Sequence, residues 1–328
     1  MRCISRAKSA ALVCVASISL FTGGCIGGKG ATPVTAYELK NYNQDLYQGK
    51  LYAEELCVAQ NDVALEGYTE DTELHSAALF DLTGERVLYS YKAHERLYPA
   101  STTKIMTALL AIENANLDDQ VTISGNADAS SFPADAQVCG LAKGEVWTLR
   151  DLLGALLLYS GNDAATAIAE YVGGSEEAFV NMMNRRAQEL MANGTHFMNP
   201  HGLHDDNHYT TAYDLYLIFN ECIKHEDFVN IIQSEAYTAY YTDVDGNSQE
   251  ALFTPTNLYA QGEVDVPENV TIVGGKTGTT DEAGYCLILM EKDSSDNPYI
   301  SIVMGASEKL VLYEDMTSLI EAIPSGQQ

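Results

Sequence analysis

Apolar and polar positions change rhythm several times along this chain. From Ser76 to Ala93, SAALFDLTGERVLYSYKA sets two apolar-aromatic runs about a Thr-Gly pair, the pattern of a β-hairpin. From about Ser101 the period lengthens: Ile105, Leu109 and Ile112, with Met106 and Leu110 beside them, recur at helical spacing. The stretch TLRDLLGALLLYSGNDAATAIAEYV reads as two apolar helices parted at Ser160-Gly161-Asn162, and an amphipathic helix follows from about Ser175 to Leu190. NPHGLHDDNHYTTA is a loop by its Pro, Gly, Asp and Asn content, and YDLYLIFNECI after it is helical. Three strands come next: VTIVGGKTGTT, GYCLILMEK and PYISIVMGAS, the last two joined by the polar turn DSSDN. LYEDMTSLIEAI closes the chain as a helix, whereas residues 37–70 are polar and Tyr-rich and assign no element. Strands at both ends and helices between predict an α+β fold, with a largely antiparallel sheet built from both chain ends and a helical insert.

These elements belong to 328 residues, 46% apolar and 20% charged, a globular composition with ample core. A formal net charge of −28 argues against nucleic acid or an anionic membrane surface as the main partner. The first 25 residues are patterned differently: Arg2, Arg6 and Lys8, then the apolar AALVCVASISLF, then TGGC ending at Cys25. That is the architecture of a secretory signal, and the apolar part is short for a membrane span. Small residues before Cys25 resemble a bacterial lipoprotein processing site, with Cys25 lipidated; Thr22 stands where Leu is usual, and ordinary cleavage nearby is the alternative. Either route exports the mature chain, and a lipid would hold it at the outer face of the cytoplasmic membrane without a spanning helix. The expected organisation is a signal segment 1–25, a linker and N-terminal extension 26–70 opening on the Gly-rich IGGKGATP, and one folded domain over 71–328. Of the cysteines outside the leader, Cys57, Cys139, Cys222 and Cys286 lack Cys-x-x-Cys zinc spacing and are expected as buried free thiols.

Three short patterns carry chemistry. Ser101 and Lys104 stand three apart at a helix start, so the amine can reach the hydroxyl. A serine needs an adjacent base to attack at neutral pH, and a desolvated lysine can be that base. Free N–H groups at a helix start would favour the negative charge that develops. The competing reading is a Ser cap and a lysine lying along the helix. Ser160-Gly161-Asn162 offers a hydroxyl and an amide for proton relay and substrate contact, or merely a helix stop. Lys276-Thr277-Gly278-Thr279, ending a strand, suits an anionic carboxylate, with the glycine letting a substrate backbone lie close. A phosphate loop is excluded there, because VTIVGG precedes the lysine and the first glycine of that pattern is missing.

Taken in order, S-x-x-K, S-x-N and K-T-G form the signature of penicillin-binding proteins and serine β-lactamases. The chain resembles the serine D-Ala-D-Ala carboxypeptidases, the low-molecular-mass penicillin-binding proteins of the S11 peptidase type. YPASTTKIMTALLAIE, DLLGALLLYSGNDAATAIAE, FVNMMNRRAQEL, FMNPHGLHDDNHYTTAYDL and GGKTGTTDEAGYCLI carry the likeness, which runs from about His75 to Ile323. It implies a β-lactamase/transpeptidase-like fold, Ser101 as acyl-forming nucleophile and Lys104 as its base. It further implies Ser160 and Asn162 in the proton network, Lys276, Thr277, Gly278 and Thr279 at the substrate carboxylate, and an oxyanion hole from the Ser101 and Thr279 N–H groups. The implied substrate is a peptidoglycan stem peptide ending D-Ala-D-Ala, with β-lactams as covalent inhibitors and no metal or organic cofactor. About fifty residues follow Lys276, so the second, β-rich domain and C-terminal anchor common in this family are not expected. An N-terminal lipid would replace that anchor. ELMANGTHF departs from the family's usual wording, and a local loop change is expected there.

Three alternatives remain in view. A class A-like β-lactamase shares two motifs but carries Ser-Asp-Asn and a deacylating glutamate; here Gly161 stands in the motif and ANGTHFMNPHGLHDD holds no Glu. A catalytically lapsed wall- or drug-binding protein on the same fold is a second. The third is a metal held by His201, His204 and His208 with Asp205 and Asp206, although the segment is a loop without a zinc helix pattern.

Overall fold

A computed structural model describes residues 55–65 and 76–324. The leader, Cys25 and most of the 26–70 segment lie outside the described residues.

The hairpin forms where its pattern places it, β1 (Ser76–Asp81) paired antiparallel with β2 (Arg86–Tyr91). Asp81 caps the turn, accepting from Gly84 N at 2.8 Å and from Arg86 Nε at 2.8 Å. β1 then pairs with a strand from the far end of the chain. β7 (Val270–Thr280), β8 (Gly284–Asp293) and β9 (Pro298–Ala306) complete a five-stranded antiparallel sheet in the order β2-β1-β9-β8-β7.

Both faces of this sheet are buried, which is why its central strands read as continuous apolar runs. Cys286, Ile288 and Met290 of β8 and Ile300, Ile302 and Met304 of β9 face the main core. Their alternates Leu287, Leu289, Tyr299 and Val303 face a smaller rear core. The rear core is closed by the C-terminal helix, Lys309–Glu321, through Leu312, Met316 and Leu319.

The front is closed by helices. α1 (Lys104–Asn114) is buried along Lys104–Ala111, as a central helix with no solvent face must be. α2 (Leu149–Gly154) starts at Thr148, whose side chain accepts from Asp151 N. A π-helical turn, Ala155–Tyr159, follows, and α3 (Asn162–Gly173) begins after Ser160 and Gly161. α4 (Glu176–Glu189) and α5 (Ala212–Cys222) are capped by Ser175 and Thr211. Arg186 of α4 reaches Glu113 at the end of α1 through two bonds of 2.6 and 3.0 Å.

A second sheet was not legible in the sequence. β3 (Gln120–Thr122), β4 (Val146–Thr148), β5 (Tyr237–Thr242) and β6 (Ser248–Phe253) pair antiparallel in that order, and Trp147 stacks on Tyr241 at 4.2 Å. Two of these strands are three residues long and draw partners from distant sequence, so no periodicity marks them. α6 (Glu226–Ile232), α7 (Leu258–Gln261) and then α8, the C-terminal helix, complete the count among the described residues. None of the described helices is long and apolar enough to cross a membrane.

Part of the stretch expected as linker packs on this body. Cys57 is fully buried, its N–H donates to the Tyr216 hydroxyl at 2.9 Å, and Val63 forms an antiparallel bridge with Ser90. Cys57, Cys222 and Cys286 are buried free thiols, while Cys139 is only half-buried.

Candidate active site

The site forms where three chain segments meet. Ser101 lies in a 3₁₀ turn, Ala100–Thr103, and the α-helix proper starts at Lys104, three residues later than a helix opening on the serine would. No side chain caps either turn; instead Thr102 Oγ1 donates back to Pro99 O at 2.7 Å. Ala100, just before the serine, sits at φ 47°. A non-glycine residue in this region is uncommon, and such strain concentrates at functional sites. Ser160 repeats the theme: it ends the π-helical turn at φ 71°, turning its hydroxyl out of the helix line just before Asn162 opens α3.

The third segment is β7, an edge strand of its sheet. Gly278 is there because nothing larger fits: a Cβ at this position would meet Pro99 O at 2.9 Å, Ser101 N at 3.0 Å and Thr102 N at 3.1 Å. The strand thereby lies directly on the serine turn.

Lys104 is the hub. Its side chain is fully buried, and Nζ lies 2.9 Å from Ser101 Oγ, 2.7 Å from Asn162 Oδ1 and 2.6 Å from His201 O. Lys276 is equally buried, and donates from Nζ to Ser160 Oγ and to Thr277 O, both at 2.9 Å. Burial drives the proton affinity of Lys104 well below that of a free lysine, and the charge of Lys276 adds to it. Lys276 is brought down to about 7, by burial.

The partner geometry says what a neutral Lys104 would do. Two of its neighbours, an amide oxygen and a main-chain carbonyl, can only accept. A neutral amine has two N–H bonds for them and one lone pair left over. That lone pair faces the Ser101 hydroxyl, the one partner able to donate. The arrangement can therefore take a proton from Ser101 without any side chain moving.

Ser101, Ser160, Asn162, Thr277, Gly278 and Thr279 line one cleft of about 740 Å³. Lys104 and Lys276 are buried next to it, so the eight residues expected at a site stand together. Cys25 lies outside the described residues. Sequence reasoning missed Thr256, whose hydroxyl is 2.6 Å from that of Thr277, and the wall formed by Pro133–Gln137. It named His201 only as a candidate metal ligand and missed its main-chain carbonyl, which carries no side-chain signal.

The three histidines each turn to separate partners. Leu203 N donates to His201 Nδ1, His208 Nε2 pairs with Thr103 Oγ1 at 2.9 Å, and His204 packs edge-on to Tyr98 with Asp206 and Glu282 near its nitrogens. Burial lowers His201 to about 3 and His208 to about 4, so both rings are neutral.

The Lys104 amine against the Ser101 hydroxyl, with Lys276 on Ser160 beside them, is an arrangement able to activate a serine for acyl transfer. The family profile described as D-alanyl-D-alanine carboxypeptidase matches residues 64–308, and the chain belongs to that family. It is 34% identical over 254 residues to D-alanyl-D-alanine carboxypeptidase DacF of Bacillus subtilis, covering 76% of this chain and 61% of that protein. With DacC of Escherichia coli it shares 31% over 249 residues, covering 74% and 59%. The chain thus spans about three fifths of the length of these curated relatives. Among solved structures, the Streptomyces K15 DD-transpeptidase superposes with a TM-score of 0.71 at 28% identity, covering 78% of this chain and 98% of that one. Penicillin binding protein 5 of Haemophilus influenzae gives 0.68 at 27%, covering 78% and 72%. The α+β penicillin-binding fold expected from the sequence is the fold observed.

Proposed function

We propose that this protein is a serine D-Ala-D-Ala carboxypeptidase that removes the terminal D-alanine from peptidoglycan stem peptides and is acylated by penicillins. The observation that carries this reading is the placement of Lys104 Nζ, 2.9 Å from Ser101 Oγ with its other two partners both acceptors. Ser101 Oγ attacks the carbonyl carbon between the two D-alanines while its proton passes to Lys104 Nζ. The oxyanion is held by the N–H groups of Ser101 and Thr279. The proton then moves through Ser160 to the departing nitrogen, the C–N bond breaks, and D-alanine leaves. Water then gives a proton to Lys104 and attacks the ester carbonyl; the C–Oγ bond breaks, that proton passes from Lys104 to Ser101 Oγ, and the shortened peptide leaves with a free carboxyl group.

Lys276, Thr277 and Thr279 hold the terminal carboxylate, and Gly278 lets the peptide lie along the free edge of β7. That anion would favour the charged form of Lys276, which by repulsion keeps Lys104 neutral when substrate is present. Residues 71–328 form the catalytic domain. The leader exports the chain, and a lipid on Cys25 holds it to the membrane.

Release of D-alanine from a pentapeptide ending D-Ala-D-Ala, followed beside labelling by a fluorescent penicillin, tests the reading. Wild-type protein should do both and Ser101→Ala neither. A wild type that does neither sinks the proposal. Cys25→Ser should leave the membrane fraction; a variant that stays there counts against lipidation.

A further inference from the structure

Asp163 follows Asn162 directly, and nothing in the chemistry above uses it. Its side chain is fully buried. Oδ1 accepts from Cys139 N and Ala164 N, both at 2.9 Å, and Oδ2 from Gly140 N at 2.9 Å and Leu141 N at 3.1 Å. All four are donors, so the group is present as the carboxylate and its acceptor sites are filled.

Three of the four donors belong to the segment that continues the cleft wall. Gln137 of that wall accepts from Asn162 N at 2.8 Å and donates from its side chain to Tyr159 O at 3.3 Å. The wall is therefore laced to the start of α3 on both sides of Asn162, whose Oδ1 holds Lys104. A neutral amide could not take this place, since its NH₂ would oppose two of the N–H groups.

A buried charge needs a reason beyond tying a loop, because desolvating it is costly. The groups that face Lys104 are Lys276 from β7, His201 and His208 from the loop before α5, Cys139 from the wall and Asp163 from α3. Both histidines are neutral, and burial raises the Cys139 thiol well above its ordinary value. Asp163 is the negative charge among these groups. It opposes the loss of the Lys104 proton that burial and Lys276 promote.

The geometry points to Asp163 as a positioning residue of this active site, its carboxylate tying the cleft wall to Asn162 and setting the electrostatic field at Lys104. The inference rests on the roles proposed above for Ser101 and Lys104.

The test is the rate of Ser101 acylation by a fluorescent penicillin, measured on the full chain across the pH range for wild type, Asp163→Asn and Asp163→Glu. The acid limb of that profile reports the base. Asp163→Asn is expected to lower the plateau about tenfold or more, as misplacement near the chemistry does, and to move the acid limb to lower pH. Asp163→Glu keeps the charge, so its plateau should fall while its acid limb coincides with wild type. An Asp163→Asn limb left at the wild-type position, or an unchanged plateau, overturns the inference. If the amide variant fails to fold, Asp163→Glu decides alone, and a displaced limb there overturns it. A wild type that is not acylated at all removes the underlying serine chemistry instead, and this inference falls with it.

Discussion

The two faces of the main sheet bury ionisable groups on opposite terms. On the front, Lys104 and Lys276 are fully enclosed, yet their amines reach oxygens placed for them, through five bonds of 2.6 to 2.9 Å between them. On the rear, Glu291 of β8 is also fully enclosed, and neither carboxyl oxygen has a hydrogen-bond partner of proper geometry. Ser301 favours the charged form only weakly against the burial that pushes this acid well above the ordinary carboxylate range. The front groups are lowered bases held in a satisfied network; the rear group is a raised acid in an apolar one. A buried ionisable group with partners is equipment for chemistry, whereas one without them is a cost the fold carries.

Breaking the front network at its hub should have the largest effect. Lys104→Ala is expected to reduce penicillin acylation and D-alanine release by about a thousandfold or more, the scale of a lost general base. Stopped-flow acylation would show it, and activity within tenfold of wild type would remove Lys104 from the base role. Melting should change far less than activity, because the alanine also relieves a buried amine.

The second break reads stability rather than rate. Lys276 titrates near 7 when folded and at the ordinary 10.5 when unfolded. Between those values the unfolded chain binds more protons, so this group makes stability rise with pH. Below about pH 7 both states hold the proton, and the burden is complete; at neutral pH it amounts to roughly 4 kcal/mol at most. Lys276→Met should raise the urea midpoint at pH 6 to 7, flatten the alkaline rise, and abolish carboxylate-dependent turnover. An unchanged pH slope would contradict the burial assigned to this lysine.

A third, smaller break tests how tightly the second motif is built. A Cβ on Gly161 would meet Cys139 Sγ at 2.2 Å and Asp163 Oδ1 at 2.8 Å. Gly161→Ala should therefore cost about 2 kcal/mol, in the range of overpacking. Part of that loss should return in Cys139→Ala/Gly161→Ala, and a double-mutant cycle without coupling would show the thiol is not the obstacle.

The contact between Gly161 and Cys139 also shows what a sequence can reveal about this protein. The motifs were legible because chemistry dictates residue types: a serine, a lysine three on, an amide, a Lys-Thr-Gly on a strand. The main sheet was legible because burial on both faces makes β8 and β9 continuous apolar runs. What stayed hidden has other causes. Cys139 and Gly161 meet by tertiary approach, and nothing local marks either. The role of His201 rests on a carbonyl that every residue possesses. β3 and β4 are too short for periodicity, and the hairpin of β5 and β6 exposes one face and gives little apolar contrast. Ser101 on a 3₁₀ turn rather than on α1 was beyond reach too, since the apolar period of α1 runs to its edge without a capping side chain to stop it.

The rear face offers the smallest effect and the cleanest sign. An acid raised by burial binds its proton in the folded chain above the pH at which the unfolded chain releases it, about 4.5. Glu291 therefore makes stability fall as pH rises from there, opposite to Lys276. Its strand neighbours are Ile272 and Tyr299, and Leu287 and Leu289 share its face, so an unbranched apolar side chain of similar length suits the space. Glu291→Met should gain about 1 kcal/mol at neutral pH and progressively less toward pH 4, where the carboxyl is neutral in both states. Activity should be untouched, because the sheet separates this face from Ser101. Urea midpoints at pH 4, 6 and 8 would read the trend. A gain that does not grow with pH, or a loss at pH 8, would mean that Glu291 is held by partners after all, and the contrast between the two faces would collapse.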